Sequence, residues 1–94
     1  MTPQEESIRG ERAKQLLADP LLNEAFANCK KEVLAAWEKT PARDIEAREW
    51  LWKLYHAMLK SEEMIRGYMD SGKLADFNIK QSVKDRIFNA VRSA

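Results

Sequence analysis

The sequence predicts an all-α fold, a small helical bundle with a long third helix and a short C-terminal helix. Three observations predict it. Apolar residues recur at four- and three-residue spacings through most of the chain, the period of one helical face. Ala, Leu, Glu, Lys and Arg are plentiful, and β-branched residues are sparse before the C-terminal segment, a balance that favours helix over sheet. The chain has only three glycines and three prolines, and each proline directly follows a residue suited to cap a helix.

Thr2-Pro3-Gln4-Glu5 opens the first helix. Thr2 can cap, Pro3 suits the first helical position, and Glu5 stands where a capping box needs it. The helix is expected to run to about Ala18, burying Ile8, Ala13, Leu16 and Leu17. Gly10 inside it costs about 1 kcal/mol relative to Ala, so either something packs closely there or the first turns fray. Asp19-Pro20 repeats the cap-then-proline arrangement and starts the second helix, whose apolar stripe is Leu22, Phe26, Cys29, Val33 and Ala36-Trp37. Lys30, Lys31, Glu32 and Glu38 take its other side. Thr40-Pro41-Ala42-Arg43-Asp44 breaks the pattern in a turn short enough to make its neighbours antiparallel.

Asp44 is the expected cap of the third helix, over Ile45–Ser71, with Thr40-Pro41 as an alternative start one turn earlier. Ala47, Leu51, Leu54, Met58, Ile65 and Tyr68 follow a four-then-three spacing with Ser61 in the gap. At 1.5 Å per residue this helix spans roughly 40 Å. Asp44–Arg48, Glu49–Lys53 and Glu62–Arg66 are acid-first pairs, each adding a few tenths of a kcal/mol to the helix. Gly72 suits a left-handed position just past its end. A last helix then begins near Asn78, where Asn78 and Gln81 match a weak capping box, with Ile79, Val83, Ile87 and Ala90-Val91 as its stripe and Phe88 beside it. The first helix is expected to pack across the second and third.

Length and composition set further bounds. Ninety-four residues make one helical domain, 1–94, in which 76–94 could serve as a C-terminal arm. An apolar content of 45% argues against a disordered chain. No apolar run resembles a signal peptide or approaches the length of a membrane span, so the expectation is a soluble protein with no membrane partner. Formal charge divides unevenly: residues 1–72 hold 11 basic and 13 acidic groups, and 73–94 hold five and two, giving −2 and +3.

The chemistry-bearing residues are few. His56 is the only histidine and Cys29 the only cysteine. A structural zinc site needs four ligands, so no metal site is expected. Cys29 has no partner for an internal disulfide and reads as a small buried hydrophobe; His56 reads as a surface or interface residue. Glu46, Glu49, Glu62 and Glu63 are interspersed with Arg48, Lys53 and Arg66, as on a solvated face. The residue three before His56 is Lys53, so the Glu-x-x-His motif of di-metal bundles does not occur. Glycines are isolated, and neither a phosphate loop nor a nucleophile elbow is present. The expectation is a protein that is not an enzyme and carries no cofactor.

What remains is surface for contact. Trp37, Trp50 and Trp52 fall within sixteen residues around one turn. Trp37 and Trp50 are expected to bury against each other, whereas Trp52 points about 200° away from Trp50. Trp50, Trp52, Tyr55 and Leu59 are the candidate interaction residues, since exposed aromatic surface marks interfaces. Lys73, Lys80, Lys84, Arg86 and Arg92 are the candidate nucleic-acid contacts, which would bind the phosphate backbone in a salt-sensitive way. A solvated polar face explains the same five residues.

The pattern Arg9-Gly10-x-Arg12-Ala13, Leu16-Leu17, Pro20, Ala25-Phe26, Ala36-Trp37-x-x-Thr40-Pro41-x-Arg43-Asp44, Arg48-Glu49-x-Leu51-Trp52 and Gly72-Lys73-Leu74-Ala75 resembles a family of short helical proteins of tailed bacteriophages. Members are encoded among phage genes, often close to virion and packaging genes. The resemblance covers roughly residues 8–75 and is most specific from Trp37 to Trp52. It implies a viral origin and a place in the host cytoplasm or the virion. The family has no agreed activity, so no residue role carries over. The resulting expectation is a phage accessory protein acting by protein–protein contact, a small homo-oligomeric virion or assembly component. Two alternatives stand beside it: a nucleic-acid-binding regulatory or packaging protein using the basic C-terminal helix, and an inhibitor of a host enzyme or defence complex using Glu46, Glu49, Glu62 and Glu63.

Overall fold

A computed structural model describes residues 1–93; Ala94, the last residue of the expected arm, lies outside the described residues. The fold is all-α: α1 (Pro3–Leu17), α2 (Pro20–Lys39) and α3 (Ile45–Ser93), with no strand among the described residues. Contacts divide the chain into two units. Met1–Gln15 and the part of α3 from Arg66 onward form one, and Leu16–Ile65 forms the other.

The helix starts follow their capping chemistry. Asp19 accepts from the backbone N–H groups of Leu21 at 2.9 Å and Leu22 at 3.2 Å, satisfying two of the orphan donors of the first turn of α2. Asp44 does the same for α3 through the N–H of Ala47 at 3.2 Å. At α1, Thr2 Oγ1 accepts from the Glu5 N–H at 3.2 Å and donates to the Glu5 carboxylate at 3.1 Å. Thr40 closes α2: its N–H donates to the Trp37 carbonyl and its hydroxyl to the Ala36 carbonyl at 2.7 Å. It therefore ends one helix rather than starting the next.

The separate short C-terminal helix does not form. α3 continues through Gly72 and Asn78 for 49 residues, and no glycine among the described residues has a positive φ. Gly72 is thus not a left-handed cap. It is a point of close approach. A Cβ built on Gly72 would lie 2.5 Å from the Gly10 Cα and 3.0 Å from the Glu6 carbonyl oxygen, and one on Gly10 would meet the Gly72 Cα at the same distance. Real Cβ atoms do not sit that close to backbone, so only glycine on both helices permits this crossing. The Asn78–Gln81 box is likewise absent, because Asn78 is interior to α3; Gln81 instead donates to Asp85 at 3.3 Å.

In the first unit α1 runs antiparallel to α3, as Ser7 donates to Asp76 at 3.0 Å and Gly10 meets Gly72. The Arg9 guanidinium stacks on the Tyr68 ring, 4.2 Å from its centroid. Gly10, Ala13, Gly72 and Ala75 are the buried residues here, with Ala13 and Ala75 each 3% exposed. Within this unit the partners of α1 on α3 include Tyr68, Gly72 and Asp76. Of the side chains expected to be buried on α1, Ala13 is buried, Leu17 is half-buried, and Ile8 and Leu16 are exposed.

The second unit is an antiparallel hairpin of α2 and the first part of α3. Lys30 Nζ lies 2.9 Å from Glu62 Oε1 and donates to Oε2 at 3.3 Å. Nearer the turn, Arg48 stacks on the Trp37 ring at 3.9 Å and donates to the Thr40 carbonyl at 2.9 Å. Two of the expected helix-surface pairs are therefore replaced. Glu62 and Arg48 reach α2 and its C-terminus because those partners are partly shielded from water and therefore hold charge more strongly. No residue of this unit is buried; Phe26, Val33, Leu51, Met58 and Ile65 are half-buried.

Candidate interaction surface

The hairpin gathers part of the aromatic cluster and disperses the rest. Trp37, Val33 and Leu34 of α2 meet Leu51, Trp52, Tyr55 and His56 of α3 around an apolar hollow of about 230 Å³. Trp37 and Trp52 also border a more open hollow of about 430 Å³ with Ala42, Ile45, Arg48 and Glu49. Trp52 stacks on His56 at 4.0 Å between ring centroids, one helical turn away, and Tyr55 meets the same imidazole edge-on at 5.8 Å. Trp52 remains 57% exposed. Of the candidate interaction residues, Trp52 and Tyr55 share this wall, and Leu59 lies half-buried one turn beyond Tyr55.

Trp50 is elsewhere. It is 65% exposed and lines neither hollow, because two residues along a helix rotate it about 200° from Trp52. The expected burial of Trp37 against Trp50 is therefore corrected: Trp37 packs with Arg48 and faces the Trp52 side. The sequence spacing already carried the signal, since Arg48, Trp52 and Tyr55 recur at four and three residues on one face of the helix. That face was missed because Leu51, Leu54 and Met58 form a more continuous apolar stripe beside it.

Cys29 is exposed rather than buried. It lies on the apolar stripe of α2, but that stripe extends past the side that α3 covers. His56 is exposed, as expected of a surface histidine. Among the described residues, no three or more His, Cys, Asp or Glu side chains gather in a way that could hold a metal ion. No described helix is long and apolar enough to cross a membrane.

The basic residues are all exposed on α3. Because α3 continues through Gly72, Lys73 is inside the helix rather than before it, and Lys73, Lys80 and Lys84 fall within about 40° of one another around its axis. Arg86 and Arg92 point to other sides. Arg86 borders a hollow of about 190 Å³ beside Pro3 and Gln4, and Arg92 leans on the Phe88 ring at 5.4 Å. Lys80 has Asp76 at 3.9 Å, which offsets part of the charge of the lysine row.

The hollow between α2 and α3 can accept one large apolar side chain. Its volume is below the roughly 300–1,000 Å³ of small-molecule sites, and its walls offer almost no polar group to orient a ligand. Anchor pockets in protein interfaces have this composition, with aromatic walls and a half-open mouth. Comparison with protein-family models, with curated proteins and with solved structures gives no match.

Proposed function

We propose that this protein works by protein–protein contact, as a small oligomeric component of a phage particle or of its assembly, with no bond chemistry of its own. The observation that carries this reading is the hairpin of α2 and α3. No side chain in it is buried, while Ile45, Trp50 and Trp52 are each more than half exposed. Removing such side chains from water yields about 25 cal/mol per Å² of apolar area, and a partner surface supplies the missing cover. The Trp52–Tyr55 wall, with Leu59 beyond it, is the contact surface. The resemblance of residues 8–75 to short tailed-phage proteins supports the viral setting.

Light scattering at low and high salt tests the reading. The expected result is a defined oligomer that survives high salt, and a smaller mass for Trp52→Ala at unchanged helix content. A monomer in every condition, together with absence of the chain from purified particles, overturns it. A second reading, binding of nucleic acid, is favoured by the row of Lys73, Lys80 and Lys84 along one exposed face. It requires an affinity for DNA or RNA that falls steeply with salt; no binding at low salt dismisses it.

A further inference from the structure

We infer that the hairpin of α2 and α3 is half of a four-helix bundle whose other half is the same hairpin of a second copy. This rests on the reading of the protein as one that works by contact, and it names a flank that adjoins the Trp52 wall, since Val33 and Leu51 also line that hollow. Glu62 and Arg48 mark the side of α3 turned to α2, and Lys30 and Trp37 mark the side of α2 turned to α3. From there Leu51, Met58 and Leu54 lie roughly 40–100° back around α3, and Val33, Cys29 and Ala36 lie roughly 40–100° back around α2. Because the helices run antiparallel, the same sense of rotation leads to the same flank of the hairpin on both. Two apolar rows therefore stand side by side.

On that flank Cys29, Ala36 and Leu54 are exposed. Lys30 and Glu62 at its seam form an ion pair, and neither apolar row adds a charge. An anionic or cationic partner thus has nothing to recognise there, and selection rests on shape. Twenty residues of α2 give a length of about 30 Å, and two helices 8–10 Å apart give a width of about 20 Å. The projected face is then about 600 Å², on the scale of the roughly 800 Å² of accessible surface that a standard interface covers on each partner. Small Cys29 and Ala36 stand on the α2 row and large Leu54 and Met58 on the α3 row, so a two-fold related copy that lays its α3 on this α2 sets large side chains opposite small ones. An αα-hairpin with one apolar face is the unit from which antiparallel four-helix bundles are built.

Cys29 reports on this directly, since it lies midway along α2 and is open in a single chain. Its alkylation rate is measured across a range of protein concentrations, alongside sedimentation mass. The expected result is loss of Cys29 reactivity as the chain dimerises, with Leu54→Glu restoring both the monomer mass and the reactivity. Trp52→Ala, on the adjoining wall, stops at a dimer in which Cys29 stays protected. An oligomer in which Cys29 reacts at the unfolded-chain rate overturns the inference while leaving the contact reading in place, and this readout needs no variant to fold. A chain that stays monomeric at every concentration overturns the inference; the contact reading is then decided by the particle test.

Discussion

The two ends of α3 pack in opposite ways. Against α1, the helix presents Gly72 and Ala75 to Gly10 and Ala13, and these four small residues are the buried ones of their unit. The backbones come together until no Cβ fits at the glycines. Against α2, the same helix presents the large side chains Trp52, Tyr55 and Leu51 to Trp37 and Val33, around a hollow of about 230 Å³. Small residues let two backbones meet without burying the larger side chains around them, and Ile8, Leu74 and Phe77 stay exposed in this unit. Large residues on two helices leave flanks that only a further layer can bury. The difference lies in how closely the backbones meet, since both units leave large apolar side chains open: Ile8, Leu74 and Phe77 in one, Trp50 and Leu54 in the other.

Gly72→Ala gives the largest expected effect. The added methyl meets the Gly10 backbone, and overpacking of this kind costs about 1–3 kcal/mol, read as a lower urea midpoint by circular dichroism. Gly10→Ala costs a similar amount, and the double variant costs less than the sum because both relieve the same contact. A neutral Gly72→Ala would break the comparison. Gly67→Ala is the matched control five residues earlier in the same helix. Nothing lies within 4 Å of the Cβ it would add, so it is expected to stabilise α3 by about 0.5–1 kcal/mol through helix propensity alone. The smallest effect belongs to the hairpin. Lys30→Met removes a pair whose side chains are 27% and 20% exposed, and after allowance for solvent screening the expected loss is about 0.2–1 kcal/mol, read from the same transition. A loss as large as that of Gly72→Ala would mean that the hairpin rests on this ion pair more than on its apolar rows.

Much of the fold was legible locally. Thr2, Asp19 and Asp44 announced their helices because capping is decided within three residues of chain. The turn at residues 40–44 and the antiparallel hairpin followed from the same short-range chemistry. Gly72 misled because glycine is both the usual C-terminal cap and the residue of closest approach, and local sequence does not tell these apart. The spacing held the answer: Ala47, Leu51, Leu54, Met58, Ser61, Ile65 and Tyr68 continue to Gly72, Ala75 and Ile79 without a break in the four-three period. Of the interaction residues, Trp52 and Tyr55 fell together as the helical period requires. The partner of Trp37 was misassigned, since which of two tryptophans it approaches depends on the angle between helices.

By itself the sequence determined the helical class, the starts of all three helices, the hairpin turn and the apolar stripes, because each depends on interactions within a few residues along one helix. Only the tertiary structure decided that Gly10 and Gly72 meet, that α3 runs on through them, and which side of each stripe is left uncovered. Those outcomes turn on how closely two backbones approach and at what rotation about their axes. Both are properties of a pair of helices, written in neither one alone.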